Sequence, residues 1–271
     1  MDQAAKARRF RELHAGPAFV IANAWDGASA RILSGLGFAA LATSSGAQAA
    51  TLGRLDGRVA RHEALAHARV IVDAVDLPVS ADLEKGFGDA PEDAAETIRQ
   101  AAAAGLVGGS IEDATGDPAR PLFELGQAVE RVAAAAEAAR ASAVPFTLTA
   151  RTENFLRGKL DLDDTIARLQ AFERAGADVL FAPGLPDLAS VRAVCKALAK
   201  PVNFMVGIPG KSFSVPELVD AGVRRISLAT ALYRAALAGL VDAANEIRER
   251  GTFTFVERAL SSKALAEFLK R

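Results

Sequence analysis

The chain has 271 residues, 51% hydrophobic and 24% charged, with a formal net charge of -1 at pH 7. That balance supports a sizeable core and offers no cluster of Lys and Arg for a phosphate backbone, so no nucleic-acid partner is expected. One cysteine, Cys195, excludes a disulfide framework, and no apolar run is long enough to span a bilayer, so no membrane partner is expected either.

The segment Met1–His14 is charged and lacks the apolar core of a signal peptide, which predicts a cytoplasmic location. From there apolar β-type runs alternate with Ala-rich helical patterns. Strand Phe19–Ala24 precedes helix Ala28–Leu36, and strand Ala39–Thr43 precedes helix Val59–Val75. Strand Val79–Asp82 is followed by helix Pro91–Ala104, and strand Val107–Glu112 by helix Leu122–Ala141. Strand Phe146–Arg151 leads to helix Leu162–Ala175, and strand Val179–Pro183 to helix Leu188–Leu198. The series ends with strand Val202–Val206, helix Val215–Ala221, strand Arg225–Ala229 and helix Ala231–Arg250. Eight strand–helix units are the count that closes a parallel (β/α)8 TIM barrel of the α/β class.

The punctuation agrees. Gly37, Gly105, Gly176 and Gly222 fall where a helix C-terminus takes a left-handed residue, and Pro78, Pro145 and Pro201 stand at strand starts. No linker interrupts the pattern, so residues 1–271 are expected to form a single domain, with 251–271 as a helical extension. That extension carries an amphipathic helix, Ser262–Leu269, suited to pack on a neighbouring subunit or back on its own barrel.

Acidic residues recur where strands end. Asp82 and Glu84 follow strand three in Ser80-Ala81-Asp82-Leu83-Glu84-Lys85-Gly86-Phe87-Gly88-Asp89. Glu112 ends strand four in Ser110-Ile111-Glu112-Asp113, and Arg151 ends strand five in Thr149-Ala150-Arg151-Thr152-Glu153. Active sites of such barrels lie at this end of the strands. Hard oxygen donors from separate strands suit Mg²⁺, and a planar guanidinium binds a carboxylate bidentately. Cation and arginine together suit an anionic oxo acid, whose polarised carbonyl lets an adjacent bond break. The competing reading is a structural ion-pair network at the barrel mouth.

Other motifs are weaker. Ser44-Ser45-Gly46-Ala47 could hold a carboxylate or be an ordinary loop. Asp26 suits a helix N-cap, and Asp56, in Gly53-Arg54-Leu55-Asp56-Gly57, reads on spacing as a turn residue. Gly210-Lys211-Ser212 fails as a nucleotide phosphate loop, because Met205 stands where glycine is required. His14, His62 and His67 lie away from strand ends and read as surface or packing residues, and Cys195 as a buried inert thiol.

Six segments taken together resemble the isocitrate lyase/phosphoenolpyruvate mutase superfamily over Phe19 to about Ala236. They are Asn23-Ala24-Trp25-Asp26, Ala42-Thr43-Ser44-Ser45-Gly46, Gly53-Arg54-Leu55-Asp56, Ala81-Asp82-Leu83-Glu84-Lys85-Gly86-Phe87-Gly88, Ser110-Ile111-Glu112-Asp113 and Ala150-Arg151-Thr152-Glu153. The resemblance implies a barrel whose last helix is exchanged between subunits of a homodimer or homotetramer. It also implies Mg²⁺ (with Mn²⁺ as a substitute) and cleavage or rearrangement of a C–C or P–C bond through an enolate of a 2-oxo acid. Carried over by position, Asp82 is the direct metal ligand, and Glu84 and Glu112 reach the ion through water. Ser45, Gly46 and Ala47 hold the oxo-acid carboxylate. Asp56 touches the metal's water shell or the substrate, Arg151 binds the leaving part, and Asn203 lines the pocket.

Two departures bear on the reaction. Glu84 is longer by one methylene than the Asp more often found there. After strand four, the isocitrate and methylisocitrate lyases carry Lys-Lys-Cys-Gly-His, whose Cys protonates the product carbanion, and the mutases use Lys and Asn. This chain has Asp113-Ala114-Thr115-Gly116-Asp117-Pro118. Those donors are missing, which leaves enolate chemistry: a lyase acting on a small 2-oxo acid, such as an oxaloacetate decarboxylase. The alternatives are a P–C bond enzyme (a phosphoenolpyruvate or carboxyphosphonate mutase, or a phosphonopyruvate hydrolase) and a non-catalytic oxo-acid binder.

Overall fold

A computed structural model describes residues 1–270. Its strands are β1 (Phe19–Asn23), β2 (Leu41–Ala42), β3 (Val79–Asp82), β4 (Gly108–Glu112), β5 (Thr147–Arg151), β6 (Val179–Phe181), β7 (Val202–Met205) and β8 (Arg225–Ser227). They pair in chain order, all parallel, and β8 pairs with β1 to close the barrel. The expected (β/α)8 barrel is the observed one.

The helices are α1 (Gln3–Ala15), α2 (Gly27–Gly35), α3 (Ser45–Thr51), α4 (Arg61–Ala74), α5 (Pro91–Ala103), α6 (Leu125–Ala141), α7 (Leu162–Arg174), α8 (Leu188–Ala197), α9 (Val215–Asp220), α10 (Ala231–Arg250) and α11 (Ser262–Leu269). Asp26 caps α2 in a reciprocal capping box with Ser29, as its position predicts. Gly105 and Gly222 take φ of 93° and 99° just past helix ends, where a side chain would be strained.

Sequence reading misses α1 and α3. Along α1 only Lys6, Ala7, Phe10 and His14 are buried, too few apolar positions to show a helical period. The helix is started by Asp2, whose side chain accepts from Ala5 N. It closes the lower end of the barrel with Phe10, which packs with Ile21, Ala40 and Val107. Gly108 exists for this contact: a Cβ there would meet Phe10 Cε1 at 2.8 Å and Thr147 O at 3.0 Å. The second missed helix, α3, begins in Ser45-Gly46, a pair that reads as loop chemistry until Ser44 is seen to be its N-cap. Helix α6 starts at Leu125, not Leu122, because Leu122 bridges Ala114 and Phe123 N bonds Asp113 O.

Helix α10, eighth in the alternation, buries only Glu246 along its length. Its Leu240 and Val241 are 63% and 55% exposed. Beyond it, α11 lies against α2, with Leu269 O accepting from Arg31.

Arg131, on α6, is 1% exposed and holds the loop after β3. Its guanidinium donates to Ala90 O at 3.1 Å and to Lys85 O, and lies 4.5 Å from the Phe123 ring centroid. Arg131→Met would keep the packing and strand two carbonyls. A loss of about 2 kcal/mol or more is expected in urea unfolding. A change below about 0.5 kcal/mol would show that the loop holds without it.

Candidate active site

Parallel register carries the charges together. Asp82 pairs with Ser110 across β3–β4, and Glu112 stands opposite Arg151 across β4–β5. Arg151 Nε lies 2.6 Å from Glu153 Oε1 and 3.5 Å from Glu112 Oε2, and its Nη1 is 3.9 Å from Asp82 Oδ1. The guanidinium carbon sits 5.1 Å from the Phe181 ring centroid. Burial alone would lower the Arg151 pKa, but Glu153, Glu112 and Asp82 outweigh it and hold the group charged.

The carboxylates gain less from this arrangement than the arginine. Burial pushes Glu112 well above its ordinary value, with Glu153 and Asp82 adding to the rise against Arg151. Burial, then repulsion from Asp82 and Asp56, moves Glu84 up to about 7. Asp56, on an exposed loop, is raised by partial desolvation and by Asp82. Glu84 has a φ of 50°, a left-handed conformation that a non-glycine residue adopts at a cost of order 1 kcal/mol. Such strain is common where a side chain must be aimed.

Asp56, Glu84, Glu112, Arg151 and Glu153 line a cleft of about 570 Å³ together with Ser45 and Arg157, and Asp82 lines the smaller cavity that shares Arg151 with it. The predicted Asp56, Asp82, Glu84, Glu112, Arg151, Ser45 and Gly46 therefore meet at one mouth. Gly46 is required there: a Cβ would meet Thr230 Cγ2 at 3.2 Å and Asp56 Oδ2 at 3.3 Å. Ser45 turns both its N–H and its hydroxyl to Asp82 Oδ2, at 3.1 and 2.9 Å. Ala47 is buried, and its N–H bonds the Ser44 cap at 3.4 Å. Asn203 lies lower, lining a cavity inside the barrel, with Nδ2 donating to Ser227 Oγ at 3.0 Å.

The cleft also holds residues that sequence reading did not assign. Glu153, fully buried, joins Arg151 to Arg157 Nη2, which lies 3.2 Å from Glu153 and 3.7 Å from Glu112. The four-residue spacing of Glu153 and Arg157 is a signal that could have flagged the pair. Arg58 stands at the rim. Ion pairing at the mouth is thus extensive, as the ion-pair-network reading expects. Asp113 faces away, accepting from Thr152 Oγ1 at 2.8 Å, Glu153 N at 2.8 Å and Arg168 Nη1 at 3.2 Å. It clamps the ends of β4 and β5.

From the loop after β4, Ala114 and Gly116 face the cleft, and neither side chain can move a proton. Lys85, on the next loop, has its ammonium held by Asp89 Oδ1 at 2.5 Å and Thr115 O at 2.6 Å. The histidines stay outside: His14 is buried beneath the barrel, and His67 Nε2 lies 2.8 Å from Trp25 O. Burial raises the Cys195 thiol to about 11, as expected of an inert packing residue. Lys211 Nζ donates to Gly184 O at 3.3 Å, a loop tie, not a phosphate cradle.

Among the described residues no group of three or more His, Cys, Asp or Glu forms a ready cage for a metal ion. The donor set nevertheless fits Mg²⁺. It is all carboxylate oxygen, burial and then mutual repulsion raise three of its members, and Mg²⁺ is commonly held by one or two carboxylates with water and substrate.

The chain is similar over most of its length to proteins named as lyases and decarboxylases. Its fold superposes with a TM-score of 0.97 on a Burkholderia cenocepacia J2315 protein whose name leaves lyase and mutase open. The two are 51% identical over 99% of this chain and 98% of that one. The 2-methylisocitrate lyase of Escherichia coli K12 is 30% identical over 80% of this chain and 75% of its own. An oxaloacetate decarboxylase of Paraburkholderia xenovorans LB400 is also 30% identical, over 96% of this chain and 88% of its own. With the family model for phosphoenolpyruvate phosphomutase matching residues 10–248, the chain belongs to that family, within the PEP mutase/isocitrate lyase superfamily of lyases and mutases.

Proposed function

We propose that this protein is a Mg²⁺-dependent lyase that cleaves the C–C bond next to the carbonyl of a small 2-oxo acid, with oxaloacetate decarboxylation as the model reaction. The observation that carries this reading is a cleft rich in carboxylates and arginine whose β4 loop contributes only Ala114 and Gly116. A bound Mg²⁺ would be held directly by Asp82, with Glu84 and Glu112 behind it, and would supply Lewis acidity toward the oxo group.

The chain's own residues do the rest. The first turn of α3, at Ser45, Gly46 and Ala47, receives the oxo-acid carboxylate, and Ser45 meanwhile fixes Asp82. Arg151 grips the departing carboxylate, and Arg157 and Arg58 extend the positive wall outward. Asp56 closes the opposite side, and Asn203 bounds the floor beneath. Bond cleavage leaves an electron pair on the pyruvate enolate and releases CO₂, and water then protonates the enolate. No acid from residues 114–122 is needed. A succinate-type carbanion, by contrast, needs a positioned donor, a step worth roughly 10²–10⁴-fold.

The name of the oxaloacetate decarboxylase relative supports the substrate class. A substrate panel decides it. Oxaloacetate or another substituted pyruvate is expected to turn over with Mg²⁺ and to stop with EDTA, while isocitrate and methylisocitrate give no product. Release of phosphate or phosphonate products would favour P–C chemistry, and thermal stabilisation without turnover would make the protein a binder. Asp82→Ala is expected to keep its circular dichroism and retain less than about a tenth of the rate, a loss above roughly 1.4 kcal/mol. Greater residual activity rejects the ligand assignment.

The charge arrangement sets a pH dependence. Glu84 has a folded value of about 7 against an ordinary 4.5, so the metal-free fold binds its proton more tightly than the unfolded chain does. That contribution is fully present below pH 4.5 and is lost as pH rises to about 7. In EDTA the urea midpoint is expected to fall across this interval, less steeply in Glu84→Gln. Equal slopes would contradict the repulsion.

We also propose that α10 joins subunits in a homodimer or homotetramer, since it leaves Leu237, Leu240, Val241 and Ile247 exposed to water, while α11 packs on α2 of its own barrel. Light scattering is expected to give at least twice the 28.2 kDa chain mass. A monomer at micromolar concentration contradicts this.

A further inference from the structure

Arg225 opens β8 and is 5% exposed, with its side chain inside the barrel. Its Nε donates to Asn203 Oδ1 at 2.8 Å, its Nη2 to Thr149 Oγ1 at 3.0 Å, and its Nη1 meets His14 Nε2 at 3.4 Å. A guanidinium carries five N–H donors, so these contacts leave part of it unspent. All three partners are uncharged. His14 lies 2.7 Å from Phe10 O through Nδ1, which leaves Nε2 as the acceptor facing Arg225. Burial and the nearby guanidinium lower its pKa to about 3, so it stays neutral.

No acid offsets this cation. Arg151 has three carboxylates around it, and Arg168 has Asp113 and Asp164. Among the described residues Arg225 takes part in no ion pair, and burial alone acts on it, lowering its pKa to about 9. An isolated buried charge is costly unless something of opposite sign approaches it.

The space for that approach is present. A cavity of about 60 Å³ runs from Arg225, Asn203 and Ser227 up past Ser80 and Ser110 toward Asp82. One water needs roughly 10–15 Å³ of such volume, so the cavity has room for a small ion with one or two waters. It is too narrow for an oxo acid with its metal. Guanidinium, amide and hydroxyl donors at its lower end suit an acceptor without directional demands, whereas at the upper end Arg151 is already paired with Asp82, so Arg225 is the cation of this cavity that no acid offsets among the described residues.

We infer that the barrel interior binds one small monovalent anion, chloride by size and charge, against the Arg225 guanidinium beneath the active-site mouth. The anion neutralises the buried charge and so secures the orientation of the Asn203 amide, independently of which reaction the mouth performs.

Crystals of the wild-type protein grown in sodium bromide are expected to show an anomalous peak within hydrogen-bonding distance of Arg225. Thermal unfolding in sodium chloride against sodium gluconate at equal ionic strength is expected to raise the midpoint saturably, by about 3 °C. Arg225→Met should respond equally to the two salts. Absence of the bromide peak overturns the inference, and so does a midpoint that rises alike in both salts for the wild type. If Arg225→Met does not fold, the wild-type bromide map alone decides.

Discussion

The site depends on how many carboxylates one buried guanidinium can serve. Arg151 faces Glu153, Glu112 and Asp82 together, and Glu84 and Asp56 crowd the same mouth with no ion pair of their own among the described residues. Burial, with mutual repulsion added to it, raises the carboxyls, and the left-handed turn at Glu84 adds backbone strain. A fold selected for stability alone would remove one of these acids, since a buried charge short of a partner costs several kcal/mol. Their retention fits a mouth completed by a cation and by an anionic substrate that Arg151 can share. The conflict sits at the strand ends, where the apolar core around Ile111, Leu148 and Ala150 can absorb it.

Three buried polar ties keep that crowded mouth in register. Asp113 clamps β5 to β4 through Thr152 and Glu153 N, and is itself anchored by Arg168. Arg131 holds the carbonyls of Lys85 and Ala90 from behind and fixes the loop that carries Glu84. Arg225 steadies Asn203 from below. Each tie joins elements distant in the chain, so the positions of Asp82, Glu84, Glu112 and Arg151 follow from long-range contacts and not from loop preference.

The barrel was legible because its period is strong: each β-type run precedes an Ala-rich helix, and glycine or proline marks most boundaries. Asp82, Glu112 and Arg151 were legible for the same reason, as polar residues ending apolar strands. Helix α1 was not, since its contact with the barrel rests on Phe10 and a few small or polar side chains. Helix α3 was hidden by Ser-Ser-Gly, whose local chemistry suits a turn equally well. Glu153 and Arg157 show only a four-residue spacing in sequence, a weak signal; the burial of Glu153 between the two arginines is what the structure adds. The unpaired state of Arg225 is likewise a property of three dimensions, and in sequence it is one of two adjacent arginines.

On the proposed reading, what distinguishes this chain's reaction is the loop between β4 and α6, since it is the part of the mouth that brings no proton donor. The chain is similar to relatives named as lyases and decarboxylases and matches a mutase family model, so the barrel by itself does not select a bond. In this chain Ala114 pairs with Leu122 at the base of the loop, Thr115 Oγ1 bonds Arg120 O, and Lys85 holds Thr115 O from the neighbouring loop. The loop is therefore folded by its own polar contacts while presenting small, unreactive residues to the cleft. A proton donor could enter by substitution at Ala114 without disturbing those contacts, since they use the backbone and Thr115. On the proposed reading, specificity follows from what the loop withholds: with only Ala114 and Gly116 facing the cleft, the site is left with reactions whose negative charge can rest on an enolate.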